Sequence, residues 1–396
     1  MSPKADAIAE AVLSCFDQLP VKRKPAIRDN GLHEWVPLSG IVAEKAGKFE
    51  CLALATGMKC LPATKMASAN GAVLHDWHAE ILAIRAFNRY LLDEIINSND
   101  SILLPRNKAS SNPGERSTQA YVVDPAVKLH MYCSEAPCGD ASMELTMGAQ
   151  DDETSWDLPQ DQPHDLPGRA YFSRLGIVRR KPARNDAPVT LSKSCSDKMS
   201  LKQFTSLLSS ATEVVISPEN AYIDTVVLPE SQFSDVACQR AFSATGRLSA
   251  LENRMWDTSH TFQPFTIATT TREFQYSKRS VSSRAAKISA SNLAAVWTRA
   301  GLEESTINGI IQGRKLGTSK SASETSRRLM WAAAERAMRT LAPEDELHQE
   351  LFSRDYESFK SNPVLDVRRR VKGDVWRLAL TGWLRNEGDT SFSLEL

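Results

Sequence analysis

The chain has 396 residues, with 48 Lys and Arg balanced by 48 Asp and Glu, 42% apolar residues and seven cysteines. Such values describe a globular protein with an ample core, and zero net charge excludes a uniformly basic nucleic-acid coat while allowing local patches. No apolar run reaches the ~18 residues of a membrane span, and the opening Ser2, Pro3, Lys4 and Asp6 lack a signal-peptide core, so the expectation is an intracellular protein, in cytoplasm or nucleus, with reduced thiols.

A first helix is predicted over Asp6–Leu19, where Ile8, Val12, Leu13, Phe16 and Leu19 recur at helical spacing. Leu38–Ala43 and Cys51–Thr56 read as a hairpin around Lys45, Gly47 and Lys48. A second helix is expected over His78–Leu92, then a loop over Asn97–Gln119, rich in Ser, Asn, Pro and Gly. Lys128–Ser134 reads as a strand ending just before Pro137. Glu144–Asp165 is acidic and broken by prolines, a solvated loop. Gly168–Lys202 reverses the sign, with nine Lys and Arg against Asp186 and Asp197, and is a candidate for phosphate contact. Further on, Glu213–Ser217, Thr225–Leu228 and Leu293–Trp297 read as strands, and Phe233–Ala244 and Ser323–Arg339 as helices. The last segment is basic and aromatic. Strands alternating with helices predict an α/β layered fold.

Two short elements carry chemistry. His78 and Glu80 are two residues apart at the start of the second helix, and Pro137-Cys138-Gly139-Asp140 directly follows a strand. A helix beginning at Cys138 would place the thiol at the positive end of a helix dipole, which favours thiolate and metal binding. His-x-Glu followed by Pro-Cys is half of the zinc-deaminase signature, whose second Cys normally comes three residues after the first. Position 141 is Ala, so the third ligand of such a site must come from elsewhere. Cys15, Cys51, Cys60, Cys133 and Cys238 fall within or beside helices and strands. Cys195 differs, standing in Ser194-Cys195-Ser196-Asp197-Lys198, where small polar residues suit a helix N-cap.

These three motifs, in this order, resemble the adenosine deaminases that act on RNA, and within them the tRNA branch found in fungi. The resemblance runs from about Leu38 to about Asn386 and includes Thr56-Gly57-Met58-Lys59-Cys60 and Arg179-Arg180-Lys181-Pro182. It implies a cytidine-deaminase-like three-layer α/β/α fold with a C-terminal α-rich extension, organised as an N-terminal helical segment over 1–37, one deaminase domain over 38–390 and a tail over 391–396. With 37 residues before Leu38, no double-stranded-RNA-binding module is expected upstream.

The resemblance also implies a ligand set and a reaction. His78, Cys138 and Cys195 would hold zinc, and Glu80 would move protons during hydrolysis of adenosine to inosine, at the adenosine directly 3′ of the anticodon of alanine tRNA. Inositol hexakisphosphate would lie buried against Arg85, Lys181, Lys198, Lys202, Arg314, Lys315, Tyr356, Lys360, Lys372 and Trp383, with Asp76 and Lys198 linking it to the metal shell. Lys59 matches a substrate-contacting loop, and Met58 stands where relatives often carry a smaller or hydroxylated residue. Arg169, Arg174, Arg179, Arg180 and Arg184 are phosphate candidates on charge alone. The partner is tRNA, with neither a membrane nor an obligate protein partner implied. The rival readings are a free-nucleoside deaminase and a catalytically silent, zinc-containing RNA-binding protein.

Overall fold

The computed structural model describes residues 2–99, 102–106, 118–148, 174–181, 188–256, 258–341 and 346–394. Most of the expected acidic loop, together with Arg169 and Arg184, lies outside the described residues.

Strands in chain order are β1 (His33–Trp35), β2 (Leu38–Lys45), β3 (Lys48–Thr56), β4 (Leu103–Pro105), β5 (Tyr121–Val123) and β6 (Lys128–Cys133). They continue as β7 (Ile223–Pro229), β8 (Thr266–Thr270), β9 (Ile288–Ala290), β10 (Leu293–Thr298), β11 (Glu303–Ile307) and β12 (Ile310–Ile311). The helices are α1 (Pro3–Asp17), α2 (Ala79–Asn97), α3 (Met143–Met147), α4 (Cys195–Thr205), α5 (Ser210–Glu213) and α6 (Asp235–Phe242). After them come α7 (Lys278–Ser282), α8 (Arg327–Leu341), α9 (Glu346–Phe352), α10 (Tyr356–Ser361) and α11 (Asp366–Leu378).

Eight strands form the central sheet in the order β12-β11-β10-β3-β2-β6-β7-β8. Pairing is antiparallel from β12 to β6 and parallel across β6-β7-β8. Both faces are covered, as the apolar runs of β2, β3 and β7 require. On one face α1 buries Ile8, Val12 and Phe16 against Leu38, Val42 and Leu54. Gly40 permits this approach, since a Cβ there would stand 2.7 Å from both Val12 methyl carbons. The other face holds α2, whose Leu82, Phe87 and Leu91 share a core with Ile41, Ala53 and Trp331 of α8. The α/β class and the three layers therefore agree with the sequence reading, and α8–α11 supply the helical C-terminal extension.

Packing crosses both bounds of the expected deaminase domain: α1 is part of the sheet's core, and Phe392 is buried, stacks on Tyr356 at 4.9 Å and packs beside Trp331. Two secondary-structure expectations need correction. Glu213–Ser217 is not a strand. Ser209 caps Thr212 N–H and starts α5, leaving Ile216 one isolated bridge to Tyr121, so capping chemistry overrides the β-prone Val-Val-Ile run. The loop expected over Asn97–Gln119 contains β4, which pairs with β5. No helix among the described residues is long and apolar enough to cross a membrane.

Because Ile8 is completely buried between α1 and the sheet, Ile8→Ala should lower unfolding stability by about 2–5 kcal/mol in urea titration.

Candidate metal centre and active site

Three chain segments converge beyond the ends of β3 and β6. The turn after β3 carries Gly57 at φ +141°, with Trp77 carbonyl packed where a Cβ would stand. Hydrogen bonds from Trp77 N to Lys59 O (3.0 Å) and from Ala79 N to Gly57 O (2.9 Å) clamp that turn to the start of α2. His78 is thereby fixed as the N-cap residue of α2, with Glu80 in the first turn. After β6, Ser134 and Leu38 exchange hydrogen bonds of 2.8 Å in both directions, and the chain turns through Pro137 to Cys138.

The third segment is the start of α4. Ser194 caps it by accepting from Asp197 N at 3.1 Å, as the small polar residues predicted. Ser196 locks it to the Cys138 loop: its hydroxyl donates to Pro137 O (2.9 Å) and accepts from Ala141 N (3.1 Å). Gly139, at φ +105°, makes room for this contact, since a Cβ would lie 2.2 Å from Ser194 Oγ. No helix begins at Cys138; a 3-10 turn starts only at Asp140 and α3 at Met143. The dipole at the Cys138 sulfur belongs instead to α4, whose Cys195 N–H points at it from 3.4 Å.

The donor atoms of His78, Cys138 and Cys195 lie within 4.8 Å of one another, and Cys138 Sγ is 3.7 Å from His78 Nδ1. Tetrahedral zinc with bonds of ~2.0–2.3 Å separates such ligands by about 3.5–3.8 Å, so the set fits the ion. Cys60, Asp76 and His78 form a second cluster of the same size. It is the poorer site, because Asp76 is already held by two ammonium groups. Asp76 Oδ2 accepts from Lys181 (2.9 Å), Ser192 (2.8 Å) and Lys198, while Oδ1 accepts from His78 N at 3.0 Å.

Electrostatics follow from this burial. Burial opposes ionisation of Asp76, yet Lys181 and Lys198 hold its carboxyl well below the usual range. The hydrogen bond from Cys195, with Lys181 and His78, pulls the Cys138 thiol down, whereas burial pushes Cys195 up. Both thiols must be deprotonated to serve as metal ligands, so metal binding at this pair would release protons. Lys181 also donates to Cys195 Sγ at 3.1 Å, partly offsetting thiolate charge. Glu80 is 6% exposed, and burial and the Cys138 charge raise its pKa. A raised carboxyl suits a group that must both accept and return protons.

Glu80, His78 and Cys138 sit in an open pocket of about 760 Å³, whose walls include Trp35, Met58, Lys59, Arg180, Thr190, Gln232 and Lys278. Arg174 is exposed and Arg180 partly so. Arg179 is corrected as a phosphate candidate: it is 1% exposed, its guanidinium is turned onto Arg174 O, and its backbone N donates to Asp197 at 2.9 Å.

A second, smaller cavity of about 200 Å³ lies under α2. Arg85, Lys198, Lys202, Tyr356 and Trp383 line it, as the family resemblance implied, together with Arg327. Lys360, Lys372 and Arg368 stand within electrostatic reach of Lys202. Burial, reinforced by these mutual repulsions, drives Lys202 and Lys360 well below the ordinary lysine range and Lys372 to about 7. Three of the residues expected here do not line the cavity: Lys181 donates to Asp76 and Cys195, and Arg314 and Lys315 are exposed on the turn after β12. Arg327, at the start of α8, was missed because only the fold brings it to this cavity. Lys193 was also missed: it is 2% exposed, bonded to Asn386 Oδ1 at 2.6 Å, and its ammonium lies 5.5 Å above the Trp383 ring.

A metal-binding triad with one carboxylic acid poised beside it, open to a pocket of nucleotide size, is the equipment of a hydrolytic deaminase. Comparison with known proteins places the enzyme further. Its chain belongs to the adenosine-deaminase (editase) domain family, matching over residues 53–387. It is similar to "tRNA-specific adenosine deaminase 1" of Schizosaccharomyces pombe, at 37% identity over 96% of this chain and 95% of the relative. The protein of that name from Saccharomyces cerevisiae is 35% identical over 51% of this chain and 53% of its own. "Double-stranded RNA-specific editase Adar" of Drosophila melanogaster shares 31% over 35% of this chain and 19% of its own.

Since Gly139 lets two ligand loops touch, Gly139→Ala should spread Cys138 from Cys195. The variant should keep its circular dichroism spectrum but bind zinc at least about tenfold more weakly in chelator competition.

Proposed function

We propose that this enzyme converts adenosine to inosine in tRNA, at the adenosine directly 3′ of the anticodon of alanine tRNA. The observation that carries the reading is the placement of buried Glu80 beside the His78-Cys138-Cys195 set in an open pocket. Near-full-length similarity to a tRNA-specific deaminase supports the substrate class. His78, Cys138 and Cys195 would hold zinc, which when bound would lower the pKa of its water and supply hydroxide as the nucleophile. Glu80 takes a proton from the attacking water and returns protons to the purine ring and to the departing ammonia. Cys138 and Cys195 are kept available as ligands by the α4 dipole and Lys181. An anticodon loop presents its base unpaired, so little energy goes into extruding it. Lys59 and Arg180, on the pocket wall, are the phosphate contacts of this reading, with exposed Arg174 retained on charge alone.

Catalytic silence is disfavoured by Glu80 itself, because a structural zinc site has no need of a buried carboxyl at that position. Glu80→Gln should cost about 10²–10⁴-fold or more in turnover while changing tRNA affinity by no more than a few-fold. The assay is inosine mapping by sequencing unmodified alanine tRNA after incubation. Inosine confined to the base after the anticodon supports the reading, and unchanged RNA that still binds supports the silent alternative.

The cavity under α2 holds inositol hexakisphosphate. Support comes from its chemistry: Arg85, Lys198, Lys202 and Arg327 face one small space with Lys360, Lys372 and Arg368 close by, and only a polyanion balances so much buried positive charge. The pH consequence has a definite sign. Lys202, Lys360 and Lys372 have lowered pKa values in the fold, so without an anion the unfolded chain binds more protons and stability rises with pH, from about 7 for Lys372 toward the ordinary value of 10.5. Anion-stripped protein should therefore melt higher at pH 9 than at pH 7, and added inositol hexakisphosphate should raise Tm more at pH 7 than at pH 9. Differential scanning fluorimetry checks both.

A further inference from the structure

Besides the basic stretch ahead of α4, a second cationic segment reaches the pocket at Lys278. Between Tyr276 and Ala290 there are four cations, Lys278, Arg279, Arg284 and Lys287, and no acid. All four are exposed. This segment is rigidly attached: Lys278 N donates to Glu135 Oε1 at 3.0 Å, and β9 pairs in parallel with β1, setting Trp35 opposite Ala290.

Trp35 is held on both sides by backbone bonds, Ser291 N to Trp35 O and, one residue on, Val36 N to Tyr276 O, each 2.9 Å. Its ring is only partly buried, lines the same pocket as Glu80, and has Lys278 Nζ 6.0 Å from its centroid. A fixed, partly buried indole beside an exposed ammonium is the pairing that recognises an unstacked nucleotide, the ring taking the base face and the cation its phosphate. The bland alternative is that the indole only packs the rim. That role does not account for an exposed cation seated against it or for its place on the wall of the reaction pocket.

We propose that Trp35 is the stacking platform for the unpaired nucleotide next to the target adenosine, and that Lys278 binds the phosphate joining the two. This deepens the RNA-editing reading of the site and rests on it. Trp35 acts through substrate contact, so its loss weakens binding of loop RNA whether or not the base is then converted.

The test compares wild type, Trp35→Leu, Trp35→Phe and Lys278→Ala, binding an alanine-tRNA anticodon stem-loop and the same RNA with an abasic residue beside the target, by fluorescence anisotropy across salt. Trp35→Leu should weaken binding of the intact loop roughly 10-fold or more, and Trp35→Phe should recover most of it. The abasic loop should bind wild type and Trp35→Leu equally weakly, because the stacking partner is already gone. Lys278→Ala should reduce the salt slope by about one. The proposal is overturned if Trp35→Leu binds the intact loop normally, or if it weakens intact and abasic loops by the same factor. Wild-type binding with no inosine formed would overturn the editing reading instead, leaving the stacking result to stand alone.

Discussion

A single buried carboxylate, Asp76, ties the two halves of this active site together. It accepts from the His78 backbone on one oxygen and from Lys181, Ser192 and Lys198 on the other. Through Lys181 it reaches the sulfur of Cys195, and through Lys198 the lining of the cationic cavity. An ionised carboxylate cannot survive at 6% exposure without such partners. The same requirement fixes where α2, α4 and the Lys181 strand-like segment must stand relative to one another. Changes on either side of Asp76 are therefore felt on the other.

The second constraint is the density of positive charge beneath α2. Folding ordinarily avoids gathering Arg85, Lys202, Arg327, Lys360 and Lys372 around one space, because each loses water and repels the rest. Glu213 pairs directly with Arg368 and His260 and offsets only part of the charge on Lys202, Lys360 and Lys372. The C-terminal extension contributes Lys360, Lys372 and Trp383, so the proposed polyanion would draw that extension onto the deaminase core. On this account a ligand remote from the chemistry completes the fold, and by way of Lys198 and Asp76 it sets the position of His78.

Much of this was legible in the sequence, for reasons that differ by element. The α1, α2 and hairpin assignments rested on strong periodicity, and the layered fold followed from their order. Ser194 announced the start of α4 because capping is a local interaction. The Cys138 environment was misread because the helix dipole it feels comes from a segment 57 residues away, which spacing alone does not reveal. Arg179 looked like a surface cation for the same reason: a basic run in sequence does not say which side chains turn inward. Arg327 was invisible because its role depends on a cavity built from α2, α4 and the C-terminal extension, and Lys193 because only the fold brings Trp383 and Asn386 to it. Arg314 and Lys315 show the reverse error, charge in a suitable run that the turn after β12 leaves in solvent.

The most direct test of the account is native mass spectrometry of the enzyme purified from eukaryotic cells without chelators. One zinc and one inositol hexakisphosphate should be retained on each chain, and denaturation should release both. Active enzyme whose native mass equals that of the bare chain plus zinc, with no anion, would contradict the claim that the buried cations require one.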